Sequence, residues 1–345
     1  MCDHKIFTGR EDKMESRAQN YAGRNSLYAD GVTFSNWPQL KAVRNALRTG
    51  HCAPTVMRTL RELQGVDSKP MVKLVSAMGG GVGLLRNECG AVSSSVLFLG
   101  LIYGQEAGDD GIPKVITLGQ KFLERFRDGL GGGRCREVTP TFKNVFPCMQ
   151  AMCRAPRYLV DVVNEDKNQI LTGINLDTRH AYGDLLQFFC EQKFHCAHSV
   201  LLELQDDIDI NEEHLRATWG LLGGTVLQGM TCGALAAGVL AIGIKYGGFE
   251  NSYLRVSRLL FSLAAGQEFM YEHYSAFSKS MNIANRLGLW FNEEFGATEC
   301  KDILGKDLSV QEGIAGYLTE NTVERCRGIC SRVTPKVREL LREFL

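Results

Sequence analysis

The chain contains a copy of itself. A repeat restricts the fold more than composition does, because each copy must bury its apolar face within itself or against the other. Residues 51–104 run from His-Cys-Ala through a glycine-rich turn and a Cys-Gly-Ala step to Tyr-Gly, and residues 195–247 repeat that order. His51-Cys52-Ala53 matches His195-Cys196-Ala197, and Gly80-Gly81 matches Gly223-Gly224. Cys89-Gly90-Ala91 matches Cys232-Gly233-Ala234, and Tyr103-Gly104 matches Tyr246-Gly247. Downstream, Phe122, Phe126 and Cys135 find counterparts in Phe291, Phe295 and Cys300. Each copy then closes on two cysteines, Cys148 and Cys153 in the first, Cys326 and Cys330 in the second. With Cys2 and Cys190 these account for all 12 cysteines.

Apolar residues recur at helical spacing over 37–48, 53–63, 70–77, 89–103, 184–194, 196–204 and 232–246, and strand alternation is nearly absent. The expected class is therefore all-α, two homologous helical-bundle modules related by internal duplication and packed about a pseudo-twofold axis like a fused homodimer. Asp209 and Asn211 are candidate N-caps, and 319–345 reads as one or two helices interrupted at Pro335. Pro156 and the polar run Asn164 to Gln169 read as a linker. The expected division is an irregular arm over 1–45, a first module over 46–158, a linker over 159–184 and a second module over 185–345.

Lys plus Arg and Asp plus Glu both number 39, so no global basic field draws nucleic acid, which is not an expected partner. The start of the chain has neither a secretory apolar run nor an acid-poor presequence, so the cytoplasm is the expected compartment. Residues 219–244 hold no charge and are long enough to suggest a membrane span. The matching stretch of the first copy carries Arg86, Asn87 and Glu88, and Gly223 and Gly224 break the run. Both read instead as a buried helix after a glycine turn, so no membrane span is expected.

Twelve cysteines in a compartment that keeps thiols reduced point to metal ligation or redox chemistry. Cys89 and Cys232 each start a helix of small residues, where unpaired amides and the helix dipole stabilise a thiolate. They are the expected attacking thiols if the chemistry is thiol–disulfide exchange. Neighbouring helix positions point about 100° apart, so His51 and His195 read as polar partners rather than co-ligands of the adjacent cysteine. Cys326 and Cys330 share a helix face and can ligate one centre. Four thiolates per copy suit zinc or an iron–sulfur cluster, and the sequence does not separate the two. Neither CxxC nor CxxCH occurs. The glycine turn lacks the preceding strand and following Lys-Ser or Lys-Thr of a phosphate-binding loop.

A lone cysteine, a glycine-rich turn, a Cys-Gly-Ala step on a small-residue helix and two further cysteines together resemble the C_GCAxxG_C_C family of redox-active proteins, over residues 45–153 and 185–340. Both copies read Cys-Gly-Ala where the family name has Gly-Cys-Ala, and Ser94 and Ala237 stand where its closing glycine falls. A related domain accompanies haem in split-Soret cytochromes. The absent CxxCH separates this chain from them. The resemblance implies an iron–sulfur ligand set of Cys52, Cys89, Cys135 and Cys153 in the first copy and Cys196, Cys232, Cys300 and Cys330 in the second, with Cys148 and Cys326 as alternatives. Zinc, or no metal, is the alternative cofactor state. The expected partners are a redox protein or a small-molecule electron acceptor, with a second copy of the chain as a candidate.

Overall fold

The computed structural model describes residues 38–104, 111–141, 144, 146–171, 194–248, 256–257, 279–319 and 321–343. The first copy comprises α1 (Pro38–Thr49), α2 (Cys52–Gln64), α3 (Lys69–Leu74), α4 (Gly90–Tyr103), α5 (Gly111–Leu130), α6 (Cys135–Val138) and α7 (Phe146–Leu171). The second comprises α8 (Cys196–Glu203), α9 (Glu212–Ala217), α10 (Gly233–Tyr246), α11 (Lys279–Phe295), α12 (Cys300–Leu304), α13 (Gln311–Thr319) and α14 (Thr322–Glu343). Short 3-10 turns, Ser76–Met78 and Thr218–Leu221, follow α3 and α9. Among the described residues there is no strand. Two isolated bridges occur, Glu88 to Arg134 and Thr231 to Glu299, at equivalent places in the two copies.

Each copy is built round one helix that is buried on nearly every side, the pattern of a core helix rather than a surface one. All residues of α4 are buried, and α10 is buried from Gly233 to Ile244. Within its copy α4 packs against α2, α5 and α7, and α10 against α8, α11 and α14. The remaining side of each is covered by the other copy: α9 and its 3-10 turn lie on α4, and α3 and its 3-10 turn lie on α10. Glycines permit these crossings. A side chain at Gly220 would strike the Val96 carbonyl, one at Gly100 the Ala217 carbonyl, and one at Gly243 the Leu74 carbonyl. This exchange is the reciprocal contact of a twofold dimer, made within one chain. At 14 residues each, α4 and α10 are about 21 Å long, short of a bilayer's hydrocarbon core. No described helix is long and apolar enough to cross a membrane.

Several boundaries differ from the sequence reading. The stretch read as the start of a linker is the second half of α7, with Leu159, Val162 and Val163 in the core. Pro156 lies inside that helix, as Pro335 lies inside the continuous α14. A proline removes one intrahelical hydrogen bond and kinks a helix, but does not end one whose flanking turns are buried. Ala155 and Leu159 flank the first proline, Val333 and Val337 the second. The arm-to-module boundary at residue 45 falls inside α1, which packs on α2 and α7. Asn211 is the N-cap of α9, its side-chain oxygen accepting from the His214 amide at 3.0 Å. The rest of the expected arm, most of the expected helix over 184–194, and Cys2 and Cys190 lie outside the described residues.

Candidate functional site

The glycine-rich turns wind left-handed. In the first copy Gly80, Gly81, Val82, Gly83 and Leu84 have φ of 67°, 83°, 60°, 65° and 64° in succession, and Arg86 follows at 59°. Gly223 to Leu227 repeat this, with Gly229 in the place of Arg86. Side chains make such a conformation costly, so Val82 and Leu84 in the first run and Thr225, Val226 and Leu227 in the second are strained and must be held there. Closures within the turn help: the Arg86 and Asn87 amides donate to the Gly80 and Gly81 carbonyls, and those of Gly229 and Met230 to Gly223 and Gly224. The turn then receives the third cysteine of its copy. The Cys135 amide donates to the Asn87 carbonyl and the Cys300 amide to the Met230 carbonyl, both at 2.6 Å.

Two glycines per copy make room for sulfur. A Cβ on Gly90 would stand 2.6 Å from Cys52 Sγ, and one on Gly233 would stand 2.5 Å from Cys196 Sγ. A Cβ on Gly81 would stand 2.7 Å from the Cys135 Cβ, and one on Gly224 would stand 2.6 Å from that of Cys300. The paired-glycine turn and the Cys-Gly-Ala step thus let the first and third cysteines close on the backbone beside the second.

In the first copy Cys52, Cys89, Cys135 and Cys148 meet. The hydrogen bond with Cys148 draws the Cys52 thiol down to about 7 against its burial, and the same bond together with burial pushes Cys148 well up. Burial, then the neighbouring Cys52 and Cys135, pushes Cys89 well above the usual thiol range. Burial and Cys52 push Cys135 up to about 12. Cys153 is raised by burial alone. The reason is angular: Cys148 and Cys153 are five residues apart on α7 and point about 140° from each other.

In the second copy Cys196, Cys232, Cys300 and Cys326 line one apolar cavity of about 20 Å3 with Gly233, Ala234, Ile303, Leu304 and Ile329. Burial, then the mutual proximity of these sulfurs, pushes Cys196 and Cys300 well up, and Cys326 to about 12. Cys330 is one helical turn beyond Cys326, on nearly the same face, and its Sγ donates to the Cys196 carbonyl at 3.6 Å. Tyr317 of α13, which sequence reasoning missed, is buried beside Cys326, Cys196 and Cys300, its hydroxyl pushed up by burial and by those thiols. All ten described cysteines are free.

His51 and His195 are buried, and burial lowers them to about 4 and about 3, so both are neutral at pH 7. His195 caps α8, its Nδ1 accepting from the His198 amide at 3.1 Å, and its ring lies 4.9 Å from that of Trp219. Burial pushes Glu88, beside Cys89, up to about 7, and its carboxylate accepts from the Thr225 hydroxyl of the other copy.

The chain matches the family described as "Putative redox-active protein (C_GCAxxG_C_C)" twice, over residues 50–164 and 194–343. The chain belongs to that family. The two matches cover well over half of the chain and coincide with the two copies. No curated protein and no solved structure matches the chain. Family membership supports a redox role for the C_GCAxxG_C_C modules and assigns them no cofactor.

As the side chains stand, no three His, Cys, Asp or Glu among the described residues are set to hold a single metal ion. The donor chemistry nevertheless fits a thiolate-bound group. Four soft donors from four separate segments converge in an apolar setting, and several buried thiolates are stable together only against a cation. The space among the sulfurs of the second copy is about 20 Å3, so a bound group would need the thiol side chains to give way.

Proposed function

We propose that this chain is an electron-transfer or reductase protein in which each C_GCAxxG_C_C module holds an iron–sulfur cluster. Cys52, Cys89, Cys135 and Cys148 would hold it in the first module, and Cys196, Cys232, Cys300 and Cys326 in the second. The supporting observation is the convergence, twice over, of four free thiols from four segments onto a backbone kept bare by glycine. A cluster supplies a one-electron couple. The chain's own part is to hold the sulfurs, exclude water with Ile303, Leu304 and Ile329, and keep the neighbouring histidines uncharged.

Anaerobic purification followed by iron and acid-labile sulfide analysis, with a visible spectrum before and after dithionite, tests the reading. Iron, sulfide and a reversible bleach are expected, with Cys148→Ser losing cofactor and Cys153→Ser keeping it. A protein that stays colourless through reconstitution defeats it.

A second reading, metal-free thiol–disulfide exchange, draws on Cys52 and Cys148, whose mutual hydrogen bond favours a shared thiolate, whereas burial pushes Cys89 and Cys232 away from thiolate. In that case one thiol of the pair attacks a partner disulfide and the other resolves the mixed disulfide, releasing the partner as a dithiol.

A further inference from the structure

The proposed sites belong to different copies, yet residues flanking their cysteines are held by the opposite copy. Arg134 precedes Cys135, and Glu299 precedes Cys300. The Arg134 guanidinium grips the Glu299 carboxylate through two hydrogen bonds of 2.6 Å, and Arg136 adds a third at 3.1 Å. Glu88, preceding Cys89, accepts from the Thr225 hydroxyl, and Thr225 follows Gly224, the glycine against Cys300. Asn87 Nδ2 donates to Thr298 Oγ1 at 2.8 Å, two residues before Cys300. The bridges Glu88 to Arg134 and Thr231 to Glu299 tie the segment entering the second cysteine of each copy to the segment entering the third.

Arg134 and Glu299 occupy equivalent positions, each the N-cap of the short helix that opens with the third cysteine. Equivalent residues in contact lie on the pseudo-twofold axis, where a true homodimer would set a residue against its own copy, arginine on arginine or glutamate on glutamate. Here the two positions carry opposite charge and form a bidentate pair, with Glu299 5% exposed.

We infer that the two cysteine sites are coupled across the axis, so that filling either raises the affinity of the other, with Arg134 and Glu299 as the positioning residues that carry the coupling. The inference rests on the reading that each site binds a thiolate-ligated metal group. Filling the first site fixes Cys135 and with it the Arg134 backbone. The bidentate fork then fixes Glu299, and so the start of α12 and Cys300. Ordering of the shared segments is met at the first filling and not again at the second, which gives positive cooperativity without any large displacement. Linkage requires the factor to be the same in both directions.

The test is an equilibrium titration of the reduced full-length chain with cobalt(II), whose thiolate charge-transfer absorption reports sulfur ligation reversibly, alongside iron and sulfide loading. Wild type is compared with Cys89→Ser and Cys232→Ser, each leaving one site, and with Glu299→Gln. Loss of either site is expected to weaken the other by about fivefold or more, by equal factors in the two variants. Glu299→Gln is expected to titrate as two independent sites, and the exchanged pair Arg134→Glu with Glu299→Arg to restore cooperativity, which separates coupling from misfolding. Single-site variants whose surviving site binds as in wild type overturn the inference alone. A wild-type chain that takes up neither cobalt nor iron with sulfide overturns the reading of the sites as metal-binding, and the inference with it.

Discussion

Glu88 shows how a single side chain beside the candidate site makes stability depend on pH. Its carboxyl is buried, accepts from Thr225, and is pushed up from the usual carboxylate range to about 7 by burial, with Glu299 adding to the effect. Between its unfolded value near 4.5 and about 7 the folded chain binds the proton more readily than the unfolded chain does. The stability this confers is present at low pH and is lost as pH rises through 7. A shift of that size is worth on the order of 3 kcal/mol. Urea unfolding at pH 5 and pH 8 should therefore show wild type losing stability relative to Glu88→Gln, which keeps an acceptor for Thr225, at the higher pH. His51 and His195 act in the opposite sense: their lowered values mean stability is lost as pH falls below about 6.5. Both proteins carry the same histidines, so the difference between them at each pH isolates Glu88. Equal pH slopes in wild type and Glu88→Gln would show that Glu88 does not carry the effect. None of this was legible in the sequence. The sequence marked Glu88 only as a charge that argues against a membrane span, and its Thr225 partner is a long-range contact that no local pattern encodes.

At the level of elements, the left-handed turn sets where the third cysteine stands, and two glycines separate backbone conformation from steric room. Gly65, at the end of α2, has φ of 76° and nothing within 4 Å of an added Cβ. Gly81 has φ of 83°, but its Cβ would meet the Asn87 amide, the Cys135 Cβ and the Arg86 carbonyl carbon at 2.7 to 2.8 Å. Gly65→Ala should cost about 1 to 2 kcal/mol, the left-handed penalty alone. Gly81→Ala should cost at least about 2 kcal/mol more, because two of its three obstacles are backbone atoms that cannot rotate away. It should also reduce cofactor loading in the first module, which Gly65→Ala leaves intact. Urea midpoints and iron content of the two variants check this, and equal losses would mean that Cys135 does not depend on the turn. The paired glycines were visible in the repeat, but the run through Val82, Leu84, Thr225, Val226 and Leu227 was not, since these residues ordinarily avoid that region. The same limit explains the closing cysteines. A spacing decides which sulfurs share a face only once the segment is known to be helical, which was read for Cys326 and Cys330, whereas Pro156 and the polar run beyond disguised the second half of α7 as a linker.

For the molecule as a whole, duplication was the most legible property, because matching order and spacing survive where individual residues have diverged. What it could not convey is how far the copies depend on one another. The absence of charge from α10 up to Ile244, which raised the question of a membrane, and from α4 is explained by the exchange of α3 and α9: each central helix has one side that only the opposite copy covers. Residues such as Val96, Leu97 and Ala217 on one side of the exchange, and Leu74 and Ile242 on the other, are fully buried in the complete chain. A half-chain would expose these faces as a contiguous apolar surface, which a monomer in water does not tolerate. Residues 194–345 produced alone should therefore aggregate or self-associate, and co-production with residues 38–171 should recover a soluble one-to-one complex, measured by sedimentation or light scattering. The recovered complex should not be replaced by two copies of residues 194–345, because the axis would then set Glu299 against Glu299, two partly buried carboxylates in contact. A stable monomeric half would show that the exchanged segments are dispensable, and that the copies are neighbouring domains rather than the two sides of one core.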